Sequence, residues 1–159
     1  MSSHTYKQFI RELCVLCHLV PAGDFYDDTN LVIDGVNFSL FECNASNTGT
    51  AVYFCDAGPI EQGEFEHTSR QALVTNLAWF SAFSPSFAID PDTQRFVLTG
   101  RLDISTGPAE NLILLGQVAH LSRQWQVNHI VTDLTPKQPG MGPRRHRAAP
   151  RSMTGKDMT

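Results

Sequence analysis

A chain of 159 residues with 42% hydrophobic content is long and apolar enough for one ordinary core, and the length points to one domain. The formal charge of −4 hides an asymmetry: residues 1–134 hold 6 Lys+Arg against 15 Asp+Glu, a net of −9, whereas residues 135–159 hold 6 Lys+Arg against 1 acid, a net of +5. An acidic body disfavours phosphate backbones, and no run approaches the roughly 20 apolar residues of a membrane span, so neither nucleic-acid binding nor stable membrane insertion is expected.

The start, Met1 to Lys7, leads into an amphipathic stretch interrupted by Arg11 and Glu12, unlike the unbroken apolar core of a signal peptide. The expected location is therefore the cytoplasm, where the four cysteines should be reduced thiols. Residues 5–19 read as a helix, because Tyr6, Phe9, Ile10, Leu13, Leu16, Cys17 and Val20 recur at three- and four-residue spacing until Pro21-Ala22-Gly23. Its apolar arc is wide for a single buried stripe.

Leu31-Val32-Ile33, the turn Asp34-Gly35 and Val36 to Phe41 read as a hairpin. Asn47-Thr48-Gly49 turns into a third strand, Ala51 to Cys55, completing an antiparallel meander. A second helix is expected near residues 66–83, with Thr68 and Gln71 as a capping box and Leu73, Leu77 and Phe80 on its buried face. Phe87-Ala88-Ile89 is a fourth strand, Asp90-Pro91-Asp92-Thr93 a turn, and Arg95 to Ile104 a fifth strand with Phe96, Leu98 and Leu102 on one side. Ser105 or Thr106, with Pro108, opens a third helix running to about Val127 and carrying Leu114, Val118, Leu121 and Trp125. From Thr135 onward the composition is that of a disordered basic tail. The fold class is α+β, in the order α-β-β-β-α-β-β-α, with a twisted antiparallel sheet flanked by helices. The domain spans residues 1–134 and the tail residues 135–159.

Cys14-Val15-Leu16-Cys17-His18 matches the c-type haem attachment pattern, with thioether bonds to both cysteines and axial ligation by His18. The helical rhythm already accounts for Cys14 and Cys17 as small core residues, and a position inside the helix gives neither thiol the dipole assistance of a redox Cys-x-x-Cys. A zinc site would need Cys14, Cys17, Cys43 and Cys55, yet the last two are isolated in strands. The histidines are scattered, and no nucleophile elbow, metalloprotease helix or phosphate loop is present. No catalytic residue, metal or cofactor is expected. The run Arg144-Arg145-His146-Arg147 is read as a solvated extension.

Ala72-Leu73-Val74-Thr75-Asn76-Leu77-Ala78-Trp79, followed by Phe87-Ala88-Ile89-Asp90-Pro91-Asp92-Thr93-Gln94-Arg95-Phe96-Val97-Leu98, resembles the class I type III secretion chaperones (Tir-chaperone-like). The closing helix, ending Ser122-Arg123-Gln124-Trp125, is similar to that family's last amphipathic helix. The likeness covers residues 5 to 127. It departs from the family at Gln94, where glycine is usual, in the 58–67 loop, which is less leucine-rich, and in the extra tail.

The resemblance implies a bacterial cytoplasmic homodimer, not an enzyme. It would bind the N-terminal chaperone-binding segment of a secreted effector, keep it extended and secretion-competent, and prevent premature aggregation without ATP. The secretion-apparatus ATPase is implied as a further partner. A meander apolar on both faces points independently to a protein-binding surface. Ile10, Leu13, Val32, Val36, Phe38, Leu40 and Tyr53 are the candidate effector contacts. If Leu73, Leu77 and Phe80 face the sheet, the opposite side of the second helix offers Ala72, Thr75, Ala78, Trp79 and Ala82 as the dimer interface. The alternatives are a small ligand-binding α+β domain, or a haem or redox protein using Cys14, Cys17 and His18.

Overall fold

The computed structural model describes residues 4–20, 26, 29–43, 49–61, 63–80 and 85–129. In chain order the elements are α1 (His4–Leu16), β1 (Thr29–Ile33), β2 (Val36–Glu42), β3 (Thr50–Pro59), α2 (Phe65–Ala78), β4 (Ser86–Asp90), β5 (Arg95–Asp103), a 3-10 turn (Ile104–Thr106) and α3 (Pro108–Asn128). The element order is the one read from the sequence. Calls on residues 21–25, 44–48, 81–84 and 130–159, including the turn Asn47-Thr48, Ala82 and the tail, lie outside the described residues.

The five strands form one antiparallel sheet in the order β1-β2-β3-β5-β4. Asp34 and Gly35 take φ of 50° and 79°, the paired positive values of a type I′ turn, and this sets the register Ile33↔Val36. β3 then pairs with β5 rather than β4, so the chain passes through α2 before β4 returns to the free side of β5.

Strand alternation sends Leu31, Phe38, Leu40, Ala51, Tyr53, Cys55, Phe96, Leu98 and Leu102 to one face, where all are buried under α1 and α3. Tyr53 is paired with Gly100, and a methyl group at position 100 would sit 2.7 Å from Tyr53 Cζ. Glycine at this position is thus the space into which the tyrosine ring fits. At the far end, Trp125 of α3 stacks within 4.1 Å of Phe87 and meets Phe96 edge-on at 5.6 Å (ring centroids).

β3 carries a bulge between Asp56 and Gly58, and α3 holds it in place. Ser122 Oγ donates to the Asp56 carbonyl at 2.6 Å, while the Asp56 carboxylate accepts the Gly58 N–H and a two-pronged contact from Arg95 at 3.0 and 2.8 Å. Partial burial pushes the Asp56 carboxyl upward, but Arg95 and the Gly58 N–H outweigh it and hold it below the usual carboxylate range. A depressed folded-state pKa contributes stability above the unfolded value, near 4, which is lost as pH falls through the folded value. Asp56→Asn should therefore cost about 1 kcal/mol at neutral pH and less in acid, as measured by urea unfolding at both pH values.

Two helix boundaries depart from the expectation. α1 stops at Leu16 because His18 adopts φ of 56°, donating its N–H to the Val15 carbonyl while Leu19 N–H reaches the Cys14 carbonyl at 2.8 Å. These paired bonds form a Schellman termination, so Cys14-x-x-Cys17-His18 is spent on ending a helix. The Thr68/Gln71 capping box does not form: α2 begins at Phe65 after Glu64, and Thr68 is a buried residue within the helix. Gln94, with φ of 53°, closes the β4–β5 turn by donating its N–H to the Asp90 carbonyl at 2.9 Å. Left-handed backbone costs an ordinary side chain about 1–2 kcal/mol, so Gln94→Gly and His18→Gly should each add about 1 kcal/mol of stability, read as a higher denaturant midpoint at unchanged m-value.

Candidate functional site

The residues out of phase with the core lie on the other face of the sheet, where no helix covers them among the described residues. Val32 of β1 is 63% exposed, Phe41 of β2 38% and Phe54 of β3 40%. Phe41 and Phe54 meet edge to face with ring centroids 5.7 Å apart. Val52 stands beside them, opposite Phe41 on one side and Arg101 on the other. Asn30 and Ser39, hydrogen-bonded across β1 and β2 at 2.6 Å, stand with Asn37 between this cluster and Val32. The result is a compact apolar patch of Phe41, Val52 and Phe54 on β2 and β3, with Val32 set apart beyond the polar pair. A second exposed apolar group, Val15, Leu16, Leu19 and Val20, closes the end of α1.

Six of the seven residues expected to contact a partner are instead core. Ile10, Leu13, Leu40 and Tyr53 have no exposed surface, and Phe38 and Val36 are buried against the helices. The correction has a simple cause: one face of each strand must cover α1 and α3, and these residues share the phase that does so. Val32 alone of that set is on the open face. Sequence reading missed Phe41 and Phe54 as surface residues, although Phe41 shares its phase with Asn37 and Ser39 and so belongs to the more polar side of β2.

α2 is also turned around. Its inward stripe is Thr68, Ala72, Asn76 and Trp79, and its outward stripe is Leu73, Val74, Leu77 and Phe80. Asn76 explains the orientation. Its side-chain amide pairs with the edge of β4, accepting the Phe87 N–H at 2.7 Å and donating to the Phe87 carbonyl at 3.0 Å. Ala72 lets the helix approach, and Trp79 stacks on Phe87 at 6.0 Å. Ala72 and Trp79 are thus parts of the chain's own packing rather than its outer face; Thr75 is half-buried and Ala78 exposed. The leucines assigned to the core are the ones left in solvent, with Leu77 79% and Phe80 90% exposed.

The thiols are shielded rather than activated. Burial raises the Cys14 thiol, with a smaller contribution from Cys17, and burial raises Cys17 as well. Burial also pushes the Cys55 thiol up to about 12. Reactive and metal-binding cysteines need the opposite shift. Among the described residues, no three His, Cys, Asp or Glu side chains come together as a metal site, and no helix is long and apolar enough to cross a membrane.

No protein-family profile matches the chain, and no curated protein does. Solved structures do. A chain of the ExsC–ExsE complex superposes with a TM-score of 0.62 at 19% identity, covering 79% of this chain and 95% of its own length. A chain of the HopA1–SchA chaperone–effector complex gives 0.58 at 14% identity, covering 77% and 93%. A chain of the ExoT–SpcS complex from Pseudomonas aeruginosa gives 0.54 at 19% identity, covering 77% and 97%. The chain thus shares its fold with chains of these three complexes, one of them a chaperone–effector complex. The exposed apolar groups on this fold are the open sheet face, the end of α1 and the outward stripe of α2.

Proposed function

We propose that the chain is a type III secretion chaperone which binds the N-terminal chaperone-binding segment of a secreted effector and keeps it extended without ATP. The observation that carries this reading is the uncovered patch of Phe41, Val52 and Phe54, with Val32 exposed on the same face, on a fold whose solved neighbours include a chaperone–effector complex. Apolar groups set among polar ones on an open sheet face suit an extended polypeptide that adds alternate side chains to them. No part of this role calls for a catalytic group, and the bacterial cytoplasm is its natural location, with the secretion-apparatus ATPase as a downstream partner. The effector contacts are Val32, Phe41 and Phe54 in place of the buried set.

The working form is a homodimer built on the outward stripe of α2, with Leu73, Leu77 and Phe80 replacing Ala72 and Trp79 as its centre. Residues 1–134 constitute the binding domain, and residues 135–159, net +5, form a basic extension to it.

The test uses Phe41→Asp combined with Phe54→Asp. Both side chains are more than a third exposed, so the thermal midpoint should stay close to that of the wild type. Capture of the N-terminal segment of a secreted protein that co-purifies with the wild-type chain should be lost. Undiminished capture by the folded double variant would remove the sheet face from the proposal.

A further inference from the structure

α2 is seated on the body of the fold by very little of its own surface. Among the described residues β4 is its main support, and the buried side chains within the helix are the small Thr68 and Ala72. The helix has 14 residues, a length at which an isolated helix is marginal, and its N-terminus has no side-chain cap. What fixes it is the Asn76 amide, which accepts the Phe87 N–H and donates to the Phe87 carbonyl, together with the stack of Trp79 on Phe87. Phe87 stands opposite Leu98 of β5, yet its N–H and carbonyl are turned away from β5 toward α2. Ser86 and Ala88, of the opposite phase, face β5. The Phe87 N–H is therefore held by the helix and not by the sheet.

The clasp and the outward stripe are tied together by the helix itself. Leu73, Leu77 and Phe80 each follow an inward residue, Ala72, Asn76 and Trp79, by one position, which sets the stripe about 100° round the helix from the clasp. A roll of α2 that opens the clasp swings the stripe with it. Leu73, Val74, Leu77 and Phe80 all stand in water, whereas the half-buried Trp79 is the one large apolar anchor beneath the helix. Hydrogen bonds contribute modestly in net terms, because water competes for the same groups. α2 thus opens locally more readily than the sheet on which it rests.

We infer that the Asn76–Phe87 clasp couples the seating of α2 to the assembly of two copies of the chain. The inference rests on reading the outward stripe of α2 as the homodimer interface. It makes Asn76 a positioning residue of that interface, although its side chain touches only its own chain's strand. A closed clasp presents the stripe at a fixed angle, and two stripes buried against each other hold both clasps shut. These are one coupling free energy seen from either side, so neither effect occurs without the other. In a two-fold contact the same helix is used by both copies, and loss of the clasp acts twice.

The experiment follows residue-resolved amide exchange of the full chain over a concentration series, with light scattering on the same samples, for the wild type, Asn76→Leu and Leu77→Asp. The Phe87 N–H reports the clasp, and the Ala88 N–H, on the β5 side of the same strand, reports the sheet. Phe87 exchange should slow at least about tenfold as the wild type passes from monomer to dimer, while Ala88 changes much less. Asn76→Leu keeps the outward stripe intact; it should exchange Phe87 rapidly throughout, keep Ala88 slow and raise the dimer dissociation constant at least about tenfold. Leu77→Asp should be a folded monomer with fast Phe87 exchange. An Asn76→Leu protein that dimerises like the wild type overturns the coupling and leaves the α2 dimer standing, as do Leu77→Asp monomers whose Phe87 exchanges as slowly as in the wild-type dimer. Equal acceleration of Phe87 and Ala88 in Asn76→Leu overturns it too, by reducing Asn76 to a general support of the fold. A Leu77→Asp protein that stays dimeric, or a wild type monomeric at every concentration, overturns the dimer reading and the coupling with it. Should Asn76→Leu fail to fold, Phe87 exchange in the wild-type series and in Leu77→Asp decides the matter.

Discussion

Trp125→Ala is expected to remove about 3–5 kcal/mol of stability, the range for truncating a large buried aromatic. Trp125 is 1% exposed and is the hub of the cluster that joins three elements: Phe87 of β4, Phe96 of β5 and, through Phe87, Trp79 at the end of α2. Losing the indole leaves a cavity that the strands cannot close without breaking the β4–β5 register, and the Phe87 pairing to Asn76 would loosen with it. Trp125→Phe is the informative partner. Its ring retains much of the contact, and the lost indole N–H has no hydrogen-bond partner among the described residues, so it should cost well under half as much. Chemical unfolding of the two variants measures the difference. Equal losses would mean that the indole nitrogen, rather than ring packing, is what matters at this site.

Leu77→Asp is expected to turn the proposed dimer into a monomer. Leu77 is 79% exposed and contributes little to its own chain's core, so the far-UV circular dichroism should be preserved. In a two-fold interface each substitution acts twice, because the same stripe is presented by both copies. A charge at the centre of an apolar contact should raise the dissociation constant by about 100-fold or more, the loss of a hot spot worth at least about 2–3 kcal/mol. Light scattering across a concentration series measures it. Trp79→Arg, by contrast, should first destabilise the fold, since Trp79 lies on Phe87. A Leu77→Asp protein that remains dimeric at low concentration would move the interface away from α2.

Much of the fold was legible because local signals agreed with each other. Asp34-Gly35 fixes a tight hairpin, Pro108 opens α3, and the clean alternation of Phe96, Leu98 and Leu102 places β5 with one face buried. What the sequence left open was which apolar face looks inward. In β2 the polar companions Asn37 and Ser39 mark Phe41 as outward, and weighing each phase as a set would have separated it from Phe38 and Leu40. In β3 the two phases, Ala51-Tyr53-Cys55 and Val52-Phe54-Asp56, are nearly equally apolar, so only Asp56 hints at the outer side.

α2 was misread for another reason. Leucines at helical spacing are normally core, but this helix packs through Asn76 onto a strand edge, and a backbone-matching amide with an alanine beside it outranks the leucine stripe. Cys14-x-x-Cys17-His18 is a cautionary case of the same kind. The motif matches haem attachment, yet two backbone hydrogen bonds at the end of α1 account for His18 at a left-handed position.

The most direct measurement of the central claim is hydrogen exchange on the bound client. The N-terminal segment of a secreted protein that co-purifies with this chain is mixed with the full chain in the absence of nucleotide, and the complex is isolated by size exclusion. A stable complex is expected in which the segment is protected only in the short stretches that contact the folded chain. Protection spread through the whole segment, as in a folded domain, or a complex that forms only with ATP, would contradict it.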